Sequence, residues 1–128
     1  MDWICGIQKA IDYIEEHLTE KIDYEAVAKC AYSSSYHFQR VFGILCGFTV
    51  GEYIRRRRLT LAGNELLHSQ QKVIDVALKY GYKTPESFSR AFQRFHGILP
   101  SQVKKGCYLN SFSRLSVNFD STGGSEMK

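Results

Sequence analysis

The side chains best equipped for chemistry in this sequence are scattered. Cys5, Cys30, Cys46 and Cys107, with His17, His37, His68 and His96, fall in no CxxC or HxxxH grouping, so their spacing assembles no metal site. No Cys-His nucleophile pair, carboxylate dyad or phosphate-cradling glycine loop stands out, which argues against an enzyme and against a resident cofactor. The cysteines read as reduced packing residues, and no neighbouring feature calls for the depressed pKa a redox sensor needs. What remains is cationic. Residues 1 to 28 carry two Lys/Arg against seven Asp/Glu, a balance of −5; residues 29 to 105 carry thirteen against four, or +9; the rest balances at zero. A basic middle that includes Arg55-Arg56-Arg57-Arg58 fits a polyanion partner, with a solvated basic surface as the plainer alternative.

These residues need elements to position them. At 128 residues, 44% apolar and 23% charged, the chain has the proportions of one compact domain or two very small ones. No apolar run approaches the ~18 residues of a membrane-spanning helix, and the N-terminus lacks a basic region ahead of an apolar one, so a cytoplasmic location is expected. Ile4, Ile7, Ile11, Ile14 and Leu18 recur at helical spacing and predict an amphipathic helix from about Asp2 to His17. Asp23 caps a short second helix ending near Ala31, with Ile22 placed to staple onto Val27. Ser34 caps a third, whose buried stripe is Phe38, Val41, Phe42 and Leu45 and whose stop is Gly47. Thr49 and Glu52 form a capping box opening a long helix through Tyr53, Ile54, Leu61, Ala62 and Leu66.

After the polar loop Ser69-Lys72 the pattern restarts. Val73 to Ala77 begin a short helix, Gly81 breaks it, and Thr84-Pro85 opens another with Phe88, Ala91, Phe92 and Phe95 as its stripe and Gly97 as its end. A shift of 50 residues superposes Ser34 on Thr84, Phe38 on Phe88, Arg40 on Arg90, Phe42 on Phe92 and Gly47 on Gly97, the mark of an internal duplication. A last short helix runs from Pro100 through Val103 to Gly106. From Ser111 to Phe119 small or polar residues alternate with apolar ones, predicting one isolated strand: either a loose tail or the start of a further domain.

Each repeat is helix, tight turn, helix, the arrangement of a helix-turn-helix. Ala77 precedes Gly81 by four residues; in the first copy Ala28 is followed by Tyr32 at the matching turn position, a residue expected to strain the turn. The helix between the copies spans about 18 residues, or ~27 Å, and successive major grooves on one DNA face lie ~34 Å apart. A rigid spacer of that size suits two recognition helices in adjacent grooves.

With these residues in place the sequence resembles the DNA-binding domain of the AraC/XylS family of bacterial transcription regulators. The resemblance covers roughly residues 4 to 106. It rests on Val76-Ala77-Leu78-Lys79-Tyr80-Gly81-Tyr82, Ser87-Phe88-Ser89-Arg90-Ala91-Phe92 and Gly97-Ile98-Leu99-Pro100, and upstream on Phe38-Gln39-Arg40-Val41-Phe42, Gly47 and Tyr53-Ile54-Arg55. Departures are Tyr32, Leu99 where serine commonly precedes the proline, and Val103 where an aromatic is usual. The resemblance implies an all-α, homeodomain-like fold of about seven helices. Its divisions are a first helix-turn-helix subdomain at 1–48, a linker helix at 49–68, a second subdomain at 69–106 and an extended tail at 107–128.

It also implies site residues. Base contacts fall to Ser35, Tyr36, Gln39 and Arg40 in the first copy and to Pro85, Glu86, Ser89 and Arg90 in the second. Arginine suits guanine, glutamine suits adenine, and Glu86 makes sense mainly as an acceptor from a cytosine amine. Ser34, Thr84, Arg55 and Arg94 fall at phosphates, the first two through backbone amides at helix starts. Arg40 and Arg90 serve equally as phosphate clamps or cross-helix braces. Tyr36 and His37 have a packing alternative, and the run 55–58 winds more than one turn, so only one or two of its members can face DNA while the others make salt bridges or meet water.

The implied function is sequence-specific duplex DNA binding for transcription regulation, as an activator partnered by RNA polymerase at the bacterial nucleoid. The alternative is the DNA-reading half of a regulator that senses a small molecule, because the tail from about Tyr108 resembles the opening strand of the GyrI-like effector-binding domain found in some members. DNA-repair alkyl-transfer proteins can carry an AraC-like domain, but their Pro-Cys-His type of nucleophile has no counterpart here.

Overall fold

A computed structural model describes residues Trp3–Ser116, which form six α-helices and one 3-10 turn. The chain divides into two compact units. One comprises the residues up to His17, Ile22–Val50 and the segment from Arg114; the other comprises Leu18–Lys21 and Gly51–Ser113.

In the first unit the isoleucine stripe forms α1 (Trp3–Glu16), which buries Ile7, Ala10, Ile11 and Ile14. Gly6 sets how closely α1 approaches its neighbour: a Cβ there would lie 3.1 Å from the Ala31 Cβ and 3.2 Å from its Cα. Asp23 caps α2 (Tyr24–Lys29), its carboxylate accepting from the Glu25 N–H at 3.1 Å. Ser34 caps α3 (Ser35–Cys46) by accepting from the His37 N–H, and Gly47 ends it at φ 84. Here α2 packs against both α1 and α3, enclosing Val27, Ala28, Ala31, Phe38 and Phe42. Burial of each phenylalanine is worth about 1.5–3 kcal/mol. Two members of the expected α3 stripe depart from it: Val41 is half-buried and Leu45 is 53% exposed. The six residues of α2, roughly 9 Å of helix, are too few to reach the last turn of α3.

The second unit is built on α4 (Val50–His68), α5 (Val73–Lys79) and α6 (Pro85–His96). Its core is Leu59, Ala62, Val76, Ala77, Tyr80, Phe88 and Phe92; Phe95, expected in the stripe, packs against this cluster only partly buried. Thr84 and Pro85 start α6 as expected and Gly97 stops it at φ 86. Glu65 fastens α5 to α4, accepting from Lys79 Nζ at 2.7 Å, from the Tyr80 hydroxyl and from Gln71 Nε2 at 3.1 Å. The last expected helix is a single 3-10 turn, Pro100–Gln102. Leu99 caps nothing with its side chain, and instead the Gln102 Oε1 accepts from the Leu99 N–H at 2.9 Å.

The segment after Gly106 is neither loose nor, as far as it is described, a strand. Phe112 donates its N–H to Thr60 Oγ1 at 2.9 Å and accepts at its carbonyl from Arg57 at 2.7 Å, while its ring lies edge-on to Tyr53 and under the Arg56 guanidinium. Side chains of α4 thus take the backbone groups that a strand would offer a neighbour. Val117 to Phe119 of the expected strand lie outside the described residues. No helix among the described residues is long and apolar enough to cross a membrane.

Candidate nucleic-acid interface

The two turns that aim the second helices are built alike. In the first, the Ser33 N–H closes on the Ala28 carbonyl at 3.1 Å; in the second, the Tyr82 N–H closes on the Ala77 carbonyl at 3.0 Å. These pairs register at a shift of 49, whereas the caps Ser34 and Thr84 register at 50, so the second turn is one residue longer. The left-handed position is Gly81 at φ 88 in the second copy and Tyr32 at φ 53 in the first. A side chain in that region costs about 1–2 kcal/mol, which is the strain expected of Tyr32.

All four residues assigned to base contacts in the first copy lie on α3, with Tyr36, Gln39 and Arg40 exposed and Ser35 half-buried. They are tied together: Gln39 Nε2 donates to Ser35 Oγ at 3.0 Å, and the Arg40 guanidinium sits 5.9 Å from the centre of the Tyr36 ring. Such contacts restrict the rotamers of these side chains before any ligand arrives. Tyr36 is 72% exposed, which removes its packing alternative, and exposed His37 rests against the ring of Trp3. On α6, Pro85, Glu86 and Arg90 are exposed and Ser89 is half-buried. The Ser34 and Thr84 side chains are spent on their own helix caps, at His37 N and Ser87 N, leaving backbone N–H groups as donors for an anion. Pro85 offers no such donor and Glu86 adds a negative charge, so the start of α6 is the poorer anion seat.

The arginine run resolves into separate jobs. Arg58 donates to the carbonyls of Leu18 at 2.8 Å and Glu20 at 2.7 Å, Arg57 holds the Phe112 carbonyl, and Arg56 covers the Phe112 ring. Only Arg55 is classed with the exposed residues. Arg55 and Arg56 of α4 line a cleft of about 230 Å³ with Arg94 of α6, over a floor of Leu59, Ala91 and Phe95. Two residues assigned to phosphates from sequence, Arg55 and Arg94, therefore meet in one basic groove of the second unit.

A buried histidine supports that groove from behind. His96 Nε2 donates to the Leu59 carbonyl at 2.8 Å while its Nδ1 accepts from the Asn110 N–H at 3.2 Å, which fixes the neutral tautomer. Burial holds its pKa below the ordinary 6.5, against the raising effect of the Leu59 hydrogen bond. Gly63 makes room for the ring, since a Cβ there would fall 2.8 Å from Nε2. Glu65 titrates low as well: burial works to raise it, but the hydrogen bonds from Lys79, Tyr80 and Gln71 prevail. Burial pushes the Cys46 and Cys30 thiols up, which suits packing residues. Among the described residues no group of three or more His, Cys, Asp or Glu could hold a metal ion.

Sequence reasoning missed Ile44, which is 75% exposed on α3 beside Arg40. The repeat shift contained the signal, for it sets Ile44 on Arg94.

Two helix-turn-helix units in one chain, each with one face of its second helix exposed, define a double helix-turn-helix protein. The family model described as a helix-turn-helix domain matches residues 27–106. The regulatory protein SoxS of Salmonella typhimurium is 38% identical over 98 residues, covering 77% of this chain and 92% of SoxS. The transcriptional regulator YbfP of Bacillus subtilis is 38% identical over 99 residues, 77% of this chain but only 34% of YbfP. Among solved structures, the DNA-binding domain of AdpA in complex with a target DNA matches at a TM-score of 0.68 and 29% identity, over 75% of this chain and 86% of that one. The chain belongs to the AraC/XylS family of regulators.

Proposed function

We infer that this chain binds duplex DNA sequence-specifically to regulate transcription, with α3 and α6 as readers in successive major grooves. The observation that carries this is the braced face on α3, where Gln39 is held by Ser35 and Arg40 by Tyr36 on the side of the helix opposite its buried phenylalanines. AdpA, whose similar domain is solved on its target DNA, supports the reading. Arg40 reads a guanine and Gln39 an adenine, with Ser35 and Tyr36 alongside; Glu86 accepts from a cytosine amine, flanked by Pro85, Ser89 and Arg90. The cleft of Arg55, Arg56 and Arg94 seats a phosphate, and backbone amides at the starts of α3 and α6, by Ser34 and Thr84, hold others. Residues 1–48 and 69–106 act as the two reading subdomains, with 49–68 as the linker helix. The protein works as an activator at the nucleoid, in the cytoplasm, with RNA polymerase as its partner.

A second reading makes this chain the DNA-reading part of a small-molecule-sensing regulator, the residues from 107 onward leading into an effector-binding domain. It is favoured by YbfP, most of whose length lies outside the aligned region.

The test is in vitro selection from a random duplex library at physiological salt, then titration of the enriched site against scrambled DNA. An asymmetric two-box motif of about two helical turns, ~20 bp, is the expected result. Binding without any enriched motif refutes sequence-specific reading.

A further inference from the structure

We propose that Ile44 reads the 5-methyl group of a thymine one or two base pairs from the base read by Arg40. The proposal rests on α3 being a DNA reader and adds a specificity element to it.

A single exposed isoleucine calls for no explanation by itself. This one sits among hydrogen-bonding groups. Ile44, Gly43, Arg40 and Gln39 line one shallow concavity of about 340 Å³ on α3. The wall at Gly43 is open, with nothing within 4 Å of where a Cβ would stand. The concavity therefore combines two donor side chains, an apolar branch and a stretch of bare backbone, which matches the major-groove edge of a base step holding both hydrogen-bonding atoms and a methyl. Only thymine carries a methyl there, and it projects toward the sugar-phosphate side of the groove.

The repeat supplies a second argument. At the twin position α6 carries Arg94, which lines the basic cleft with Arg55 and Arg56. With a phosphate seated in that cleft, as proposed above, the position faces the groove wall in the second copy, and in the first copy an exposed apolar group stands where the charge would be. Ile44 lies four residues beyond Arg40, about 6 Å along the helix axis, and base pairs are stacked at ~3.4 Å. The thymine accordingly falls one or two base pairs from the guanine assigned to Arg40.

The experiment uses the whole chain and its selected site, with each thymine of the first box replaced in turn by deoxyuridine. This removes the methyl and leaves every hydrogen-bonding group in place. One position is expected to weaken binding roughly fourfold, the worth of a buried methyl. Ile44→Ala is expected to bind the thymine site about as weakly as the native protein binds the uracil site, to be indifferent to that substitution, and to keep the guanine preference at the Arg40 position. Because Ile44 is exposed, circular dichroism should show unchanged helix content.

The proposal is overturned if no thymine is sensitive, or if Ile44→Ala remains sensitive. It is likewise overturned if Ile44→Ala weakens random DNA by the same factor, which is packing on the sugar-phosphate backbone, or if it leaves DNA affinity unchanged and loses transcription activation, which is a protein contact. Absence of any preferred DNA sequence in the native protein would instead remove the DNA-reading function, a separate failure visible before any uracil is introduced.

Discussion

At equivalent positions α3 presents Tyr36, Gln39, Arg40, Gly43 and Ile44 where α6 presents Glu86, Ser89, Arg90, Gln93 and Arg94. The caps, the phenylalanine stripe and the glycine stops are common to both. One arginine in five positions is retained, and around it an aromatic, amide and apolar face has been exchanged for an acidic, hydroxyl and basic one. The turn behind each face differs too, with Gly81 relaxed and Tyr32 strained in the left-handed region. The lesson is that two helices of one chain can share caps, a buried phenylalanine stripe and glycine stops while presenting different exposed faces.

The largest expected effect tests how tightly the second unit is built. Gly63→Ala drives a methyl into the doubly hydrogen-bonded His96 ring, and denaturant titration should show a loss of about 3 kcal/mol. Next comes the reading face. Arg40→Ala should lower affinity for the selected site by about 1–3 kcal/mol and relax one base position; if specific and random DNA suffer equally, Arg40 is a clamp and not a reader. Arg90→Ala run beside it tells whether the retained arginine does the same work in both copies. The turns can then be interchanged. Gly81→Ala should cost about 1–2 kcal/mol by backbone strain alone, since only the end of Arg58 lies near, and Tyr32→Gly should raise stability by up to ~1 kcal/mol, the relief being partly offset by glycine's unfolded-state entropy.

The smallest effect is a pH dependence confined to the second unit. His96 is neutral when folded and its pKa is depressed, so the unfolded chain binds the proton more readily. Its contribution is present in full above about pH 6.5 and is lost as pH falls from there through the folded value. Urea midpoints measured between pH 7 and pH 5.5 should decline in the native protein and stay flatter in His96→Gln.

The elements were readable from sequence because their signals are local: Asp23, Ser34 and Thr84 each cap the helix they were assigned to, and Gly47, Gly81 and Gly97 take the positive φ expected of them. Leu45 was misjudged because periodicity gives the face of a helix and not the length of the neighbour that covers it. The anchoring of the extended tail was not legible for a related reason: alternation at Ser111 to Ser116 describes side chains, while the fate of the Phe112 backbone was decided by Thr60 and Arg57, some fifty residues away. Which faces of α3 and α6 are exposed followed from spacing, but the parting of Arg55 from Arg56, Arg57 and Arg58 depends on carbonyls and a ring that no local pattern predicts.

The Phe112 anchor bears on the order in which the protein is made. The helices of the first unit are complete by Cys46, and its turns and caps close over short stretches of chain. The second unit cannot satisfy Thr60 until a residue 52 positions later has emerged, nor Arg57 until one 55 positions later has. During synthesis from the N-terminus α1, α2 and α3 are therefore free to pack on the ribosome while Thr60 and Arg57 of α4 still wait for the strap that will occupy them.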